Sequence, residues 1–114
     1  MKLVLAIVKP FKVTEIVDAV ANDPLFPGLT TFDVRGFGSE KTALHEHTRE
    51  EDLRDFTPHA AVMVASPADR VSEVVETIRR VAHTGLAGDG KVFVLDLEAV
   101  WRIATDDQGE DALR

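Results

Sequence analysis

From Leu3 to Val8 every position is apolar, as in a strand covered on both faces, and Lys9-Pro10 ends the run because a proline nitrogen cannot donate to a ladder. Val13, Ile16, Val17 and Val20 then recur at helical spacing and predict a helix over 13–21. Asp23-Pro24 and Pro27-Gly28 break the chain, and a β-rich stretch with Thr30, Thr31, Phe32 and Val34 follows over 29–37. A second wholly apolar strand is predicted over 60–65. Ser66-Pro67-Ala68-Asp69 reads as the start of a helix with Ser66 as N-cap, and Val71, Val74, Val75, Ile78, Val81 and Ala82 form its apolar stripe. Arg79 and Arg80 fall in the last turns, where cations suit the helix dipole, and Gly85 is a plausible stop. Residues 92–97 predict a third apolar strand, 100–103 a short hydrophobic piece and 106–114 a polar end.

The order is β-α-β, a long polar segment, then β-α-β. Two such units fold most simply as one α+β domain over residues 1–114, a ferredoxin-like βαββαβ arrangement with an antiparallel sheet and both helices on one face. Strands that are apolar on both alternations would leave the other sheet face too hydrophobic for a lone molecule, which predicts an oligomer. Between the units, residues 38–58 carry Glu40, Glu46, Glu50, Glu51, Asp52 and Asp55 against Lys41, Arg49 and Arg54. Their large apolar residues follow no period. Such a segment predicts an exposed loop, and loops of this length inside a compact domain are usually functional.

Composition narrows the chemistry. The 114 residues include no cysteine, which excludes disulfides, thiolate metal sites and thiol nucleophiles. No apolar run approaches the roughly 20 residues of a membrane span, and the short run after Lys2 is a poor signal peptide, so a cytoplasmic protein is expected. The net charge of −7 and scattered basic residues argue against nucleic acid as a partner. No catalytic constellation emerges: the serines lie in no nucleophile motif and no carboxylate stands out as buried, so a non-enzymatic role is expected.

Three features could bind a ligand. Thr84-Gly85-Leu86-Ala87-Gly88-Asp89-Gly90-Lys91 joins a helix end to a strand; its glycines could turn N–H groups inward and its lysine add charge, as a phosphate requires. From spacing alone a helix cap and tight turn is the better reading. Gly36-Phe37-Gly38 sits where a strand meets the long loop; by itself it reads better as a simple loop entry than as a hinge or a place of close approach to a ligand. His45, His47 and His59 could supply imidazoles to a metal, but with no fixed scaffold for them incidental histidines on a solvated loop are the better reading.

Taken together, these segments resemble the PII signal-transduction family from end to end. The resemblance rests on Ala6-Ile7-Val8-Lys9-Pro10-Phe11-Lys12, on Val34-Arg35-Gly36-Phe37-Gly38, on Asp55-Phe56-Thr57-Pro58, and on the run from Thr84 to Val94 followed by Val100-Trp101-Arg102-Ile103. It implies a homotrimer that binds an adenine nucleotide (ATP, ADP or AMP, with Mg²⁺ as a possible companion) in clefts between subunits. It also implies control of a membrane transporter or metabolic enzyme through a T-loop, here 38–58, whose conformation follows the ligand. By the same resemblance Gly36, Phe37 and Gly38 line the cleft, Thr30 and Val64 lie near the adenine, and Gly88, Asp89, Gly90 and Lys91 form a phosphate-cradling B-loop within 84–91. Arg102, in the C-terminal segment 100–114, clamps phosphate from the neighbouring subunit. On this footing phosphate binding becomes the favoured reading of the glycine segment.

The departures from the family pattern point in one direction. Ser39 and Ala104 stand where typical members carry phosphate-binding arginines. Each charge-assisted contact of that kind is worth roughly 1.5–3 kcal/mol, so ATP should lose more than ADP or AMP. Glu40 replaces the glutamine that helps form the 2-oxoglutarate site, and an anionic side chain there argues against sensing that dianion. With no tyrosine in the chain, tyrosyl uridylylation is excluded. The combination resembles divergent PII-like regulators, some tied to bicarbonate transport, carboxysomes or metal efflux. A small anion such as bicarbonate, or a metal held by the loop histidines, is therefore an alternative signal.

Overall fold

The computed structural model describes residues 1–24, 26–37 and 56–113. The chain runs β1 (Lys2–Val8), α1 (Val13–Val20), β2 (Thr30–Gly36), β3 (Thr57–Ser66), α2 (Val71–Ala82) and β4 (Lys91–Asp96). The strands form one antiparallel sheet in the order β2-β3-β1-β4, the ferredoxin-like topology expected from the sequence. β1 lies inside the sheet, paired with β3 from Lys2↔Ser66 to Val8↔Ala60 and with β4 from Lys2↔Asp96 to Ile7↔Lys91.

Strand alternation divides the sheet. Val4, Ala6 and Val8 of β1 and Ala60, Val62 and Val64 of β3 face the helices, where Ile16 of α1 and Ile78 and Ala82 of α2 close over them. Every member of the predicted α2 stripe belongs to this core or packs against it. On α1 the stripe is narrower: Ile16 and Val20 are buried but Val17 is exposed. The opposite face presents Leu3, Leu5 and Ile7 beside Phe93 and Leu95 of β4, and Phe32 of β2 across Ala61. Phe32, Phe93 and Leu95 are each nearly half exposed, at 45%, 46% and 46%. The apolar second face predicted from the strands is therefore present.

Several local expectations change. The predicted loop over 38–58 ends earlier, because Thr57 and Pro58 already pair with Gly36 and Arg35 in the β2–β3 ladder. Ser66 does not cap α2. It completes β3, is buried, and its hydroxyl donates to the carbonyl of its neighbour Pro67 at 2.9 Å. α2 begins instead through a 3-10 turn at Ala68–Arg70. Arg70 then ties the helix start to Asp23, beyond α1, and to Glu73 at 3.2 Å. Nor is the last segment wholly polar: Trp101 bridges to Gln108, and a 3-10 turn at Gly109–Leu113 buries Leu113.

Ile78 fills the space between α2 and the sheet at 1% exposure. Ile78→Ala is expected to lower the unfolding free energy by about 2–5 kcal/mol, whereas the exposed Val17→Ala should cost far less. Chemical denaturation of the two variants checks this.

Candidate functional site

At the far end of β1 the ladder stops at Lys9-Pro10, and the Lys9 ammonium turns toward the segment between α2 and β4. α2 ends at Ala82 with His83 extended (φ −68°, ψ 124°), and residues 84–90 carry the chain back to β4. Asp89 organises this loop. Its carboxylate accepts the Thr84 backbone N–H at 2.8 Å and the Thr84 hydroxyl, pairs with Lys9 Nζ at 3.2 Å, and faces His83 Nδ1 at 3.5 Å. The Thr84 hydroxyl in turn accepts from Lys9 Nζ and from the Leu86 N–H, each at 3.1 Å. Donors to the ionised form hold Asp89 far below the usual carboxylate range, the Thr84 hydroxyl and N–H contributing most and Lys9 adding to them against the cost of desolvation.

Two glycines complete the loop for different reasons. Gly88 has φ +84° with open space where a side chain would be, so its need is conformational alone. At Gly90, φ +96° combines with contact: a Cβ there would lie 1.6 Å from the Ile7 carbonyl oxygen. The loop thus closes directly against the end of β1, and only glycine fits.

The cleft beside it measures about 530 Å³ and brings together Gly36 and Phe37 from the end of β2, Thr57, Pro58 and His59 from the start of β3, and Ala87 to Lys91. A second hollow of about 690 Å³ lies across the loop, between Arg79 and Arg80 of α2, His83 just beyond it, and the first residues of β4. Phe37 and Phe56 stack at the edge of the first cleft, centroids 5.5 Å apart and planes tilted by 50°. Lys91 is exposed, and among the described residues no carboxylate pairs with it. Backbone N–H groups at positive-φ glycines beside an unpaired ammonium are a chemistry suited to an anion.

The sequence-predicted residues divide accordingly. Gly36, Phe37, Gly88, Asp89, Gly90 and Lys91 converge on one cleft, although Asp89 enters as the acceptor that shapes the loop and not as a donor to a ligand. Thr30 is exposed at the opposite end of β2, paired with Met63. Val64, in the middle of β3, turns its side chain under the helices and is 2% exposed, away from the cleft of about 530 Å³. Arg102 lies away from the cleft, its guanidinium 3.2 Å from the Asp107 carboxylate and 3.4 Å from the Asp111 carbonyl. Gly38, Ser39, Glu40, His45 and His47 lie outside the described residues. His59 is placed differently from the metal reading, with Nδ1 3.2 Å from the Thr57 carbonyl and Nε2 3.1 Å from the Gly88 carbonyl. Both nitrogens are occupied by carbonyl oxygens, and among the described residues no cluster of three metal-ligating side chains forms. Sequence reading missed Lys9 and the tie from His59 to the loop; the lysine before the strand-ending proline was the one available hint.

Gly88→Ala is expected to cost about 1–2 kcal/mol for a left-handed non-glycine residue, and Gly90→Ala clearly more because Ile7 must also move. Denaturant midpoints of both variants separate the two costs. Asp89 has a depressed native pKa, so its stabilisation is complete above the ordinary carboxylate value near 4 and is lost as pH falls below it. The stability gap between the parent protein and Asp89→Asn should therefore be constant from neutrality to about pH 5 and shrink below about pH 4; unfolding curves across that range test it.

The comparisons with known proteins agree with this architecture. The family model for nitrogen regulatory protein P-II matches residues 1–107. Nitrogen regulatory protein P-II of Pasteurella multocida is 37% identical over 113 residues, spanning 99% of this chain and all of that protein. GlnK of Escherichia coli K12 and the P-II protein of Mesorhizobium japonicum are 38% and 39% identical over the same extent. Among solved structures, Arabidopsis thaliana PII bound to citrate superimposes with a TM-score of 0.80 at 34% identity, covering 97% of this chain and 90% of that one. No helix among the described residues is long and apolar enough to cross a membrane. On sequence and fold alike, the chain belongs to the nitrogen regulatory protein P-II family of signalling regulators.

Proposed function

We propose that this chain is a trimeric adenine-nucleotide sensor that regulates a transporter or metabolic enzyme through the loop between β2 and β3. The observation that carries the reading is the cleft of about 530 Å³, which joins the stem of that loop, at Gly36 and Phe37, to the glycine segment and to Lys91, with which no carboxylate among the described residues pairs. A phosphate seated there would meet backbone N–H groups and one ammonium, and the same contact would bias the loop that begins at residue 38. Differential affinity for two arrangements of the loop is all that a ligand needs to shift their populations. Citrate in Arabidopsis PII supports anion binding within the fold.

A homotrimer is supported by the apolar sheet face around Leu3, Leu5, Phe32, Phe93 and Leu95, which requires a cover. Subunit packing would also bring Arg102 of one copy to the cleft of the next, where phosphate would take the place of Asp107 as its partner. Without arginines at Ser39 and Ala104 the site has fewer cations for a third phosphate, which favours ADP or AMP over ATP. The acidic Glu40 disfavours 2-oxoglutarate as a second ligand.

Titration calorimetry with ADP, AMP and ATP in the presence of Mg²⁺ tests the reading. Expected are tighter binding of ADP or AMP than ATP, and at least about a tenfold loss in both Lys91→Ala and Arg102→Ala, the scale of a lost charge-assisted contact. Unchanged affinity in either variant overturns the phosphate assignment. Light scattering should give three times the 12.5 kDa chain mass, with Leu95→Glu shifting the protein to smaller species.

A further inference from the structure

Among the described residues, His59 bridges the start of β3 to the glycine loop, and its two contacts are both carbonyl oxygens. Nδ1 faces the Thr57 carbonyl at 3.2 Å and Nε2 the Gly88 carbonyl at 3.1 Å. Carbonyl oxygens only accept, whereas a neutral imidazole carries one N–H and one lone pair. The neutral ring therefore satisfies one of these contacts and opposes a lone pair to the other; the doubly protonated ring donates to both. Gly36 runs close beneath, where a Cβ would come within 3.5 Å of Nδ1, so the ring is confined on that side.

The Gly88 contact fixes more than one atom. In a trans peptide the carbonyl and the following N–H point in opposite directions, so holding the Gly88 oxygen also sets the direction of the Asp89 N–H. Gly88 stands at φ +84° with nothing within 4 Å of where a Cβ would lie, so no neighbour packs against that side of the residue. Asp89 is anchored through its side chain to Thr84 and Lys9, which leaves the peptide just before it as the adjustable one.

We infer that His59 is the positioning residue of the glycine loop, holding the Gly88–Asp89 peptide through its doubly protonated ring, so that the loop's presentation to an anion follows proton uptake at this histidine. The charged groups that share its cleft are Lys9, at the end of β1, Lys91, at the start of β4, and Asp89 of the glycine loop. The end of α2 contributes His83 through Asp89, while Gly36 and Val34 of β2 bring no charge. A bound phosphate would add negative charge beside the ring and draw the proton in, so proton and anion assist each other. The loop-holding part stands on the contacts alone; the anion part rests on the function proposed above.

The test reads the two parts separately. Amide resonances of Gly88, Asp89 and Gly90 are followed by NMR in the ligand-free protein from pH 5 to 8.5, the interval in which histidine changes charge. In the parent protein they should shift with the midpoint of the His59 ring. In His59→Gln, which keeps a donor but cannot titrate, that midpoint should vanish, and in His83→Gln it should persist. His59→Lys, charged throughout, should hold the loop signals near their low-pH positions. Loop amides that titrate identically in the parent protein and His59→Gln overturn the inference. ADP titrations at pH 6 and 8 then read the coupling: affinity should fall by about fivefold more in the parent protein than in His59→Gln, the scale of one charge-assisted hydrogen bond. Equal pH dependence in the two overturns the coupling. If ADP binds neither protein, the nucleotide reading fails and the amide shifts still decide the role of His59.

Discussion

The carboxylate of Asp89 is the point on which the site depends. A loop between a helix end and an edge strand has little apolar surface to hold it, and this one is shaped instead by donors converging on one acceptor. Thr84 closes the loop on itself, while Lys9 ties it to β1, from the opposite end of the sequence. Because the anchor faces inward, Lys91 is left exposed at the loop's end, and among the described residues no carboxylate pairs with it. The geometry separates two charged residues that sequence inspection merges: Asp89 builds the loop, and Lys91 stands exposed at its end.

That division also explains the close approach at Gly90. The β1–β4 ladder ends at Ile7↔Lys91, so the residue before Lys91 must pass over the Ile7 carbonyl with no room for a side chain. Register and site are therefore coupled. A slip of β4 by one residue would invert which side chains meet the helices and would also carry Lys91 away from the cleft.

Much of this was legible in the sequence, for reasons that differ by element. The α2 stripe is unambiguous because one face of a long helix meets one core. The strands could be found from their apolar runs, but not their parity: when both alternations are apolar, nothing local says that Val64 points under the helices while Met63 and Ala65 point away. Ser66 had the chemistry of a cap, yet its place at the end of the buried β3 turned its hydroxyl to Pro67. Leu113 was hidden in a polar stretch because a single apolar residue has no period. The Lys9–Asp89 pair joins the two ends of the chain, and only the β1–β4 pairing brings them together. The resemblance could point to the glycine segment as a unit, but it could not say which of its members faces a ligand and which supports the others.

The aromatic pair of Phe37 and Phe56 has a consequence for how this protein can vary. Together with the Gly36↔Thr57 pairing it joins the two ends of residues 38–55 at the edge of the sheet. When a segment is closed at its base by contacts that belong to the scaffold, the entropy of closure grows only with the logarithm of its length, about 0.6 kcal/mol per doubling. Insertions, deletions and changes of charge between the two phenylalanines should therefore leave the sheet and helices nearly as stable as before. Closure by contacts of the scaffold thus separates the length and charge of residues 38–55 from the stability of the sheet and helices.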